Sequence, residues 1–452
     1  GPPPQEQQQI DDDRDGHADF VEVLHGTPID NPVQISPVGD PQVQQKAPTT
    51  VDRTDGTYGG DPVNLRTGSF ELTQTDFTLP GRGVPLDIKR VYNSRIIDNN
   101  NRLGRGWNIS TASFYYEDLV THNLTAYLGE SLVASFTTPD NGTTYTSPAG
   151  VDDTLARENG TIVYKTLTGY KYVFSKSFTT NIGLLERVID PSGNINTFTY
   201  IVRKDVPLLS TVADASGRQL EILYGAADSE QWDKIIEIRS NLDPATPTIV
   251  RYTYKDNGYQ LLAEVRRQRY YQGALDQELV TKYRYNADNL LAEVEDARGT
   301  VLYNTYDAQG RVTIQQELDP NNPRRDQNGA PPKIFEFEYT GADPAVPGSS
   351  ACTKIKNYRD AQNFYTEKTC FNDGGLRLSV QDGLGNFTRF TYKPNGMLES
   401  VMDAANNTTF YEYDASRRVT KEILPDTNYI NAANWHTVVT YEYDTNFDSP
   451  SR

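Results

Sequence analysis

From about Gly56 onward, apolar and polar residues alternate with a period of two through runs such as SFELTQTDFTL, TIVYKTLTGYKYVF, KIFEFEY and TVVTYEY, broken by Gly, Asn and Asp turns. That period puts every second side chain on one face of a strand, and the intervening residues are the ones that turn a chain back on itself. Helix-period runs are scarce. The stretch DSEQWDKIIEI (228–238) has room for a helical turn, but its Ile235-Ile236 pair and the following Pro244 and Pro247 argue against anything longer. The pattern predicts an all-β fold.

The strand runs are copies of one unit. YRYNADNLLAEVEDARGTVLYNTYDAQGRV (283–312), RFTYKPNGMLESVMDAANNTTFYEYDASRRV (389–419), LERVIDPSGNINTFTY (185–200) and LSTVADASGRQLEILY (209–224) share one grammar. An aromatic pair ends a strand, Asp or Asn with a Gly-like residue makes a turn, Leu or Val opens the next strand, and an Asp-x-x-Gly/Asn turn leads to another Tyr. Tyr285 to Tyr306 and Tyr392 to Tyr413 both span 21 residues, whereas Tyr254 to Tyr285 spans 31 and Tyr413 to Tyr443 spans 30. The longer intervals are read as inserted loops, of which DPNNPRRDQNGAPPK (319–333) has the clearest loop composition. Tyr at i and i+2 shares a strand face, so successive hairpins can stack their aromatics into a ladder, and strand twist would curve the resulting strip. The expected architecture is a curved or spiralling antiparallel ribbon of stacked β-hairpins.

This grammar resembles the YD repeat of the Rhs family, which includes polymorphic toxins, the C-subunit side of insecticidal Tc toxins and the teneurins. A second stretch supports the resemblance: DPVNLRTGSFELTQTDFTLPGRGVPLDIKRVYNSR (61–95) followed by LGRGWNIS (103–110) is similar to the domain that precedes YD repeats in bacterial Rhs proteins. Together these matches span residues 57 to 445. The resemblance implies a β-ribbon spiralling into a hollow shell around a C-terminal toxin. It divides the chain into a Pro/Gln-rich linker with an acidic loop (1–55), an all-β opening domain (56–180) and a repeat array (181–452). The tail YEYDTNFDSPSR carries no DPxG-type autoproteolytic core, and Gly1-Pro2 looks like a tag scar, so the chain is expected to be an N-terminal fragment of something longer.

The implied function is a non-catalytic scaffold of a secreted or cell-surface protein that encloses or presents an effector on the remainder of its own polypeptide. The alternative is a teneurin-like adhesin recognising a cell-surface glycan or protein. Composition is consistent with either role: hydrophobic residues make up 36%, Tyr at 29 copies outnumbers Phe at 16, and Met occurs twice. A formal net charge of −18 argues against nucleic acid as a partner. No run approaches the roughly 20 apolar residues that span a bilayer, so membrane insertion by this chain is not expected.

Cys352 and Cys370 flank a segment centred on Ala361 within the polar stretch RDAQN, so a hairpin would bring them opposite each other. The same register sets Lys354 against Lys368, which leaves two unrelated buried thiols as the other reading. Asp11, Asp13, Asp15, His17 (through its carbonyl), Asp19 and Glu22 follow the oxygen-ligand spacing of a Ca²⁺ loop and resemble an FG-GAP or VCBS repeat, against the alternative of an acidic, self-repelling linker.

Catalytic readings are weak. The four histidines (17, 25, 122 and 436) form no metalloprotease or nucleophile-elbow pattern. Glu293, Glu295 and Asp296 are a glycosidase-like cluster only in the sense that acidic residues are common everywhere. Trp107 is read as a packing residue. The Asn-x-Ser/Thr triplets at Asn108, Asn123, Asn141, Asn159, Asn386 and Asn407 would matter only in a eukaryotic secretory route. If Ca²⁺ binds, it binds outside the strands, so EDTA is expected to leave the melting temperature of residues 57–445 unchanged in a thermal scan; a large drop would show that the metal has been misplaced.

Overall fold

The computed structural model describes residues 58–442 apart from 61, 80, 82, 96–99, 129–131, 148–152, 167, 176–180, 241–246, 256–259, 322–330, 361, 415–417 and 426–436. Among the described residues there is no helix, and the fold is all-β. A single antiparallel ladder begins at Ile182–Ile189 and pairs each strand with the next in sequence as far as Thr437–Thr440. No pairing beyond Thr437–Thr440 is seen among the described residues.

At its start the ladder meets a ring. Ser113–Glu117 pairs with Leu124–Leu128, and Leu124–Leu128 with Leu132–Phe136. The bridges Thr137–Thr146 and Thr144–Ala156 lead on to Thr154–Glu158, Thr161–Lys165 and Lys171–Ser175. Ile182–Ile189 closes the circuit, its first half pairing with Ser113–Glu117 and its last residues with the first ladder hairpin. Tyr115, Phe136, Tyr164 and Phe174 from these strands are fully buried, and they meet edge to face at 5.9 Å (Tyr115–Phe174) and 5.8 Å (Phe136–Tyr164).

The repeat grammar corresponds to one local geometry. In the Asp307 turn, the Asp307 carbonyl accepts from the Gly310 N–H at 3.0 Å, and its Oδ1 accepts from the N–H groups of Gln309 and Arg311, both at 2.9 Å. Its Oδ2 accepts from Arg311 Nε at 2.7 Å. Asp214, Asp382 and Asp403 repeat the arrangement with Arg218, Asn386 and Asn407 as the i+4 partner. A short acceptor side chain at the first position is what such a turn requires. Gly310 has φ +71°, and Asn289 (+61°) and Asn406 (+64°) occupy the same left-handed position in sister turns, since Asn tolerates it better than most residues.

Each strand then slips by one residue at the repeat tyrosine. Register shifts fall between Thr199 and Tyr200, Leu223 and Tyr224, Arg284 and Tyr285, Thr305 and Tyr306, Thr391 and Tyr392, and Glu412 and Tyr413. A bulge bends the strand and re-aims the side chain. The re-aimed hydroxyl donates to a carbonyl of the preceding strand: Tyr200 to Leu185 (2.8 Å), Tyr224 to Leu209 (2.9 Å), Tyr306 to Leu291 (2.7 Å), Tyr392 to Arg377 (2.8 Å) and Tyr413 to Leu398 (2.8 Å). In all five cases donor and acceptor are 15 residues apart. The tyrosine thus adds a side-chain bond to the preceding strand at the point where its own strand slips against the following one.

Two sequence expectations change. Residues 228–234 form turns, and Ile235 and Ile236 open the strand Ile235–Ser240, because Ile235 and Ile238 are needed as buried partners in the ladder. The 31-residue interval from Tyr254 to Tyr285 contains a long hairpin, Leu261–Tyr271 with Ala274–Tyr285, so its extra length extends strands as well as connections.

Replacing Tyr224 by Phe removes the hydroxyl from the Leu209 carbonyl and is expected to cost about 1–3 kcal/mol in denaturant unfolding; an unchanged midpoint would refute the tie to the preceding strand. The turn carboxylates also predict acid sensitivity. At Asp382 and Asp403 the amides of Asn386 and Asn407, then their backbone N–H groups, hold the carboxyl below its ordinary value. At Asp214 and Asp307 burial opposes the charge, but the hydrogen bonds to Arg218 and Arg311 prevail and the shift is again downward. Groups with lowered folded pKa stabilise the fold above the unfolded value and lose that contribution as pH falls, so stability is expected to be flat from neutral pH and to decline below about pH 4.

Candidate functional site: the inner face of the ribbon

The ladder has two unlike faces. The outer face carries cross-strand ion pairs: Arg284 with Glu293 (2.8 Å) and Glu295 (2.7 Å), Lys282 with Glu295 (2.8 Å), and Arg239 with Glu221 (2.8 Å). Glu293 and Glu295 are thereby held by cations, and Asp296 caps its own turn through Arg298 and Thr300. The inner face carries the repeat aromatics. Its leading residues Phe198, Ile222, Tyr252, Tyr283, Asn304, Phe337 and Thr369 are all buried.

What buries them is the segment before the ring. Glu71–Leu79, Leu86–Asn93 and Trp107–Ile109 form a small sheet of their own and lie against the inner face. Tyr92 Oη accepts from the Leu291 N–H at 2.9 Å, and Trp107 Nε1 donates to Tyr285 Oη at 2.9 Å. Asn196 Nδ2 donates to the Val84 carbonyl at 3.2 Å, Ile235 N–H to the Arg102 carbonyl at 2.8 Å, and Val312 N–H to the Gly68 carbonyl at 2.9 Å. Gly104 is required where it stands, because a Cβ there would lie 2.3 Å from the Gln260 carbonyl oxygen.

At the centre of this contact is a buried charge pair. Arg90 Nε is 2.7 Å from Asp76 Oδ2, and both side chains are 4% exposed. Tyr252 Oη donates to Asp76 Oδ2 at 2.6 Å, Arg90 Nη1 donates to Tyr283 Oη, and the guanidinium lies 5.6 Å from the Trp107 ring centre. Burial works against the Arg90 charge, but Asp76 and the two tyrosines outweigh it and hold its pKa above the ordinary arginine value. Burial likewise pushes the Tyr252 and Tyr285 hydroxyls well above the usual phenol range, so they remain protonated donors. A buried ion pair needs further hydrogen bonds to offset its desolvation, and here each charged atom has a partner, with Arg90 Nη2 donating to Gln74 Oε1 at 3.0 Å.

Among the described residues the cover stops beyond Phe371. The principal core runs from Val63 to Phe371 and includes no later residue. Phe390, Tyr392, Val401, Tyr411 and Tyr413, which occupy the same inner-face positions in later repeats, are only half-buried. A groove of ≈ 190 Å³ lies between Leu86–Asn93 and the start of the ladder, below the roughly 300–1,000 Å³ of small-molecule sites.

Cys352 and Cys370 stand directly opposite each other in register and are joined as a disulfide. Lys354 and Lys368 are also opposite, but Lys354 reaches Glu338 at 3.6 Å and Lys368 reaches Asp343 at 2.6 Å, so each charge has its own carboxylate. Among the described residues, Asp343 with the two cysteines is the one cluster of potential metal ligands, and its sulfurs are already bonded to each other. Asp11, Asp13, Asp15, His17, Asp19 and Glu22 lie outside the described residues, as do His25, His436 and most of the loop 319–333. His122 Nδ1 lies 3.4 Å from the buried Glu117, whose two oxygens Arg157 engages at 3.1 Å. Trp107 is fully buried, and Trp232 carries Lys204 over its ring at 4.7 Å. Sequence reasoning missed the Asp76–Arg90 pair, because a charged residue within an alternating strand reads as solvent-facing until the other face is known to be covered.

Two family models match the chain: a domain of unknown function, DUF6531, over residues 60–126 and the RHS repeat over residues 285–322. Among curated proteins, the tRNA3(Ser)-specific nuclease WapA of Bacillus spizizenii is 26% identical over 320 residues, covering 58% of this chain and 13% of the relative. The tRNA(Glu)-specific nuclease WapA of Bacillus subtilis subsp. natto is 30% identical over 149 residues, covering 30% of this chain and 6% of the relative. This chain therefore spans a small part of the relatives it matches. Among solved structures, the TcdB2-TccC3-Cdc42 crystal structure aligns over 79% of this chain and 19% of its own, with 12% identity and a TM-score of 0.30. The N-terminal domain of the effector protein SpvB from Salmonella typhimurium aligns over 54% of this chain and 99% of its own, with 13% identity and a TM-score of 0.21. With the RHS repeat model seated on the tyrosine-tied hairpins, and WapA relatives matching in sequence, the chain carries the repeat of the Rhs/YD-repeat family and is similar to its members.

Proposed function

We propose that this chain is the sealed, structural end of a β-shell that encloses or presents an effector borne by the rest of its polypeptide, in a secreted or cell-surface protein. The observation that carries the proposal is the asymmetry of the inner face. It is filled by the chain's own residues from Val63 onward as far as Phe371 and, among the described residues, left without cover beyond it, while the ladder continues to Thr440. A one-layer ribbon closed at one end and extending at the other is the form a container wall needs. On this reading the chain contributes no chemistry of its own: Glu293 and Glu295 serve the outer ion pairs, Asp296 serves a turn, and the effector lies outside this stretch. The WapA matches support a toxin-related role, since this chain covers only 13% of one such nuclease and leaves ample length for a separate activity.

A second reading is favoured by the long hairpin Leu261–Tyr271 and Ala274–Tyr285, near whose tip Tyr271 is 59% and Leu275 50% exposed. Exposed apolar side chains at a hairpin tip suit recognition of a glycan or protein. The two readings separate in one comparison on the parent polypeptide extended past Arg452. Enclosure predicts that the C-terminal segment resists limited proteolysis while attached and is cut rapidly once excised; equal digestion in both states would end the enclosing role. Loss of cell binding in Tyr271→Ala, with equal digestion, would favour the recognition module instead.

A further inference from the structure

The disulfide stands on the outer face, under a cover of its own. Thr353 and Ile355 face the covering segment, Thr353 Oγ1 donating to the Leu65 carbonyl and Ile355 packing by Gly59, so the alternate positions Cys352 and Lys354 point outward. Val346, from the turn that joins Lys333–Gly341 to Ala351–Tyr358, is buried and packs with both cysteines, Leu378 and Phe387. Bonds within the turn hold its shape: the Val346 N–H donates to the Asp343 carbonyl at 2.9 Å, and the Asp343 N–H to the Ser349 hydroxyl at 2.9 Å. The Asp343 carboxylate is thereby set against the sulfurs, with one of its oxygens and the two Sγ atoms all within 4.8 Å of one another.

We infer that Asp343, Cys352 and Cys370 form a Zn²⁺ site once the disulfide is reduced, so that this point of the ribbon is stapled by a sulfur–sulfur bond in oxidising surroundings and by a metal in reducing ones. The inference goes beyond the enclosing role and does not depend on it. A dithiol reductant supplies the two electrons: its thiolate attacks one sulfur, the Cys352–Cys370 bond breaks, the reductant leaves as its own disulfide, and the protein keeps two thiols. Each thiol gives up its proton on binding the metal. Two thiolates at about 2.3 Å and a carboxylate oxygen at about 2.1 Å from a tetrahedral Zn²⁺ stand about 3.6–3.8 Å apart, a spacing this group reaches once the sulfurs separate, and water takes the fourth position. The charges close as well. Two thiolates, one carboxylate and Zn²⁺ leave a single negative charge, and Lys368 Nζ lies 2.6 Å from Asp343 Oδ2 to offset it. Soft sulfur ligands select Zn²⁺ over Mg²⁺ or Ca²⁺.

The test uses the full chain, reduced, freed of reductant without air and titrated with Co²⁺, whose thiolate-to-metal absorption reports sulfur ligation alone; Cys352 and Cys370 are the only cysteines, so acidic residues elsewhere contribute nothing to it. One equivalent of Co²⁺ is expected to give the band, Zn²⁺ to displace it and to slow alkylation of both cysteines at least about tenfold, and the oxidised chain to give no band. Asp343→Asn should weaken Co²⁺ binding at least about tenfold, since loss of a ligand costs no less than loss of a group that orients one. Glu338→Gln, which removes a nearby carboxylate outside the ligand set, should leave it unchanged. No band in the reduced chain, no protection from alkylation, or an affinity unaltered by Asp343→Asn would overturn the inference, as would an equal loss in Glu338→Gln. The band and the protection are read on the unaltered chain, so they decide even if Asp343→Asn fails to fold.

Discussion

A sheet one layer thick cannot bury its own apolar face, and the rest of this structure follows from that constraint. Each hairpin supplies a strip of tyrosine, leucine and valine on one side and charged residues on the other. Stacking hairpins lengthens the apolar strip without covering it. The chain resolves this by placing its own residues 58–110 against the strip, so the polypeptide that comes first in sequence becomes the filling for strands that come up to three hundred residues later. The Arg66 contact with Asp373 and the Tyr92 contact with Leu291 measure how far that filling reaches.

The filling is also polar where it must be. An apolar wedge would bury the strip well enough but would have no preferred position along a repetitive surface, since every repeat offers a similar row. Asp76, Arg90, Gln74 and Trp107 meet hydroxyls on Tyr252, Tyr283 and Tyr285, three tyrosines from neighbouring repeats. A shift by one repeat would leave a buried charge unpaired, a cost of several kcal/mol. We regard this network as the register pin between segment and ribbon, a specificity role that buried polar groups fill in other repetitive assemblies.

Curvature has a separate origin, within each repeat. The slip before each tyrosine turns its ring so that the hydroxyl reaches a carbonyl of the preceding strand 15 residues back, adding a side-chain bond to the backbone pairing where the strand bends. The turn carboxylates keep the hairpins short and their phase constant. Neither feature involves the covering segment, which explains why the later repeats keep the same geometry although their inner face is only half-buried.

The sequence alone determined the local rules. The period-two runs, the Asp-x-x-Gly/Asn turns and the recurring tyrosines made the strands, the hairpins and the ribbon legible, because these depend on residues fewer than about thirty apart and on backbone preferences that each repeat restates. Facing cysteines at 352 and 370 were legible for the same reason. Only the tertiary structure decided what the tyrosines bind, that Ser113–Ile189 closes into a ring, that Ile235 and Ile236 serve a strand, and that Asp76 and Arg90 are buried. The tyrosine bonds hang on a one-residue slip that the repeat does not spell out, and the ring and the buried pair turn on which surface meets which far along the chain; a single alternating strand carries no mark of whether its polar face will meet water or another part of the chain.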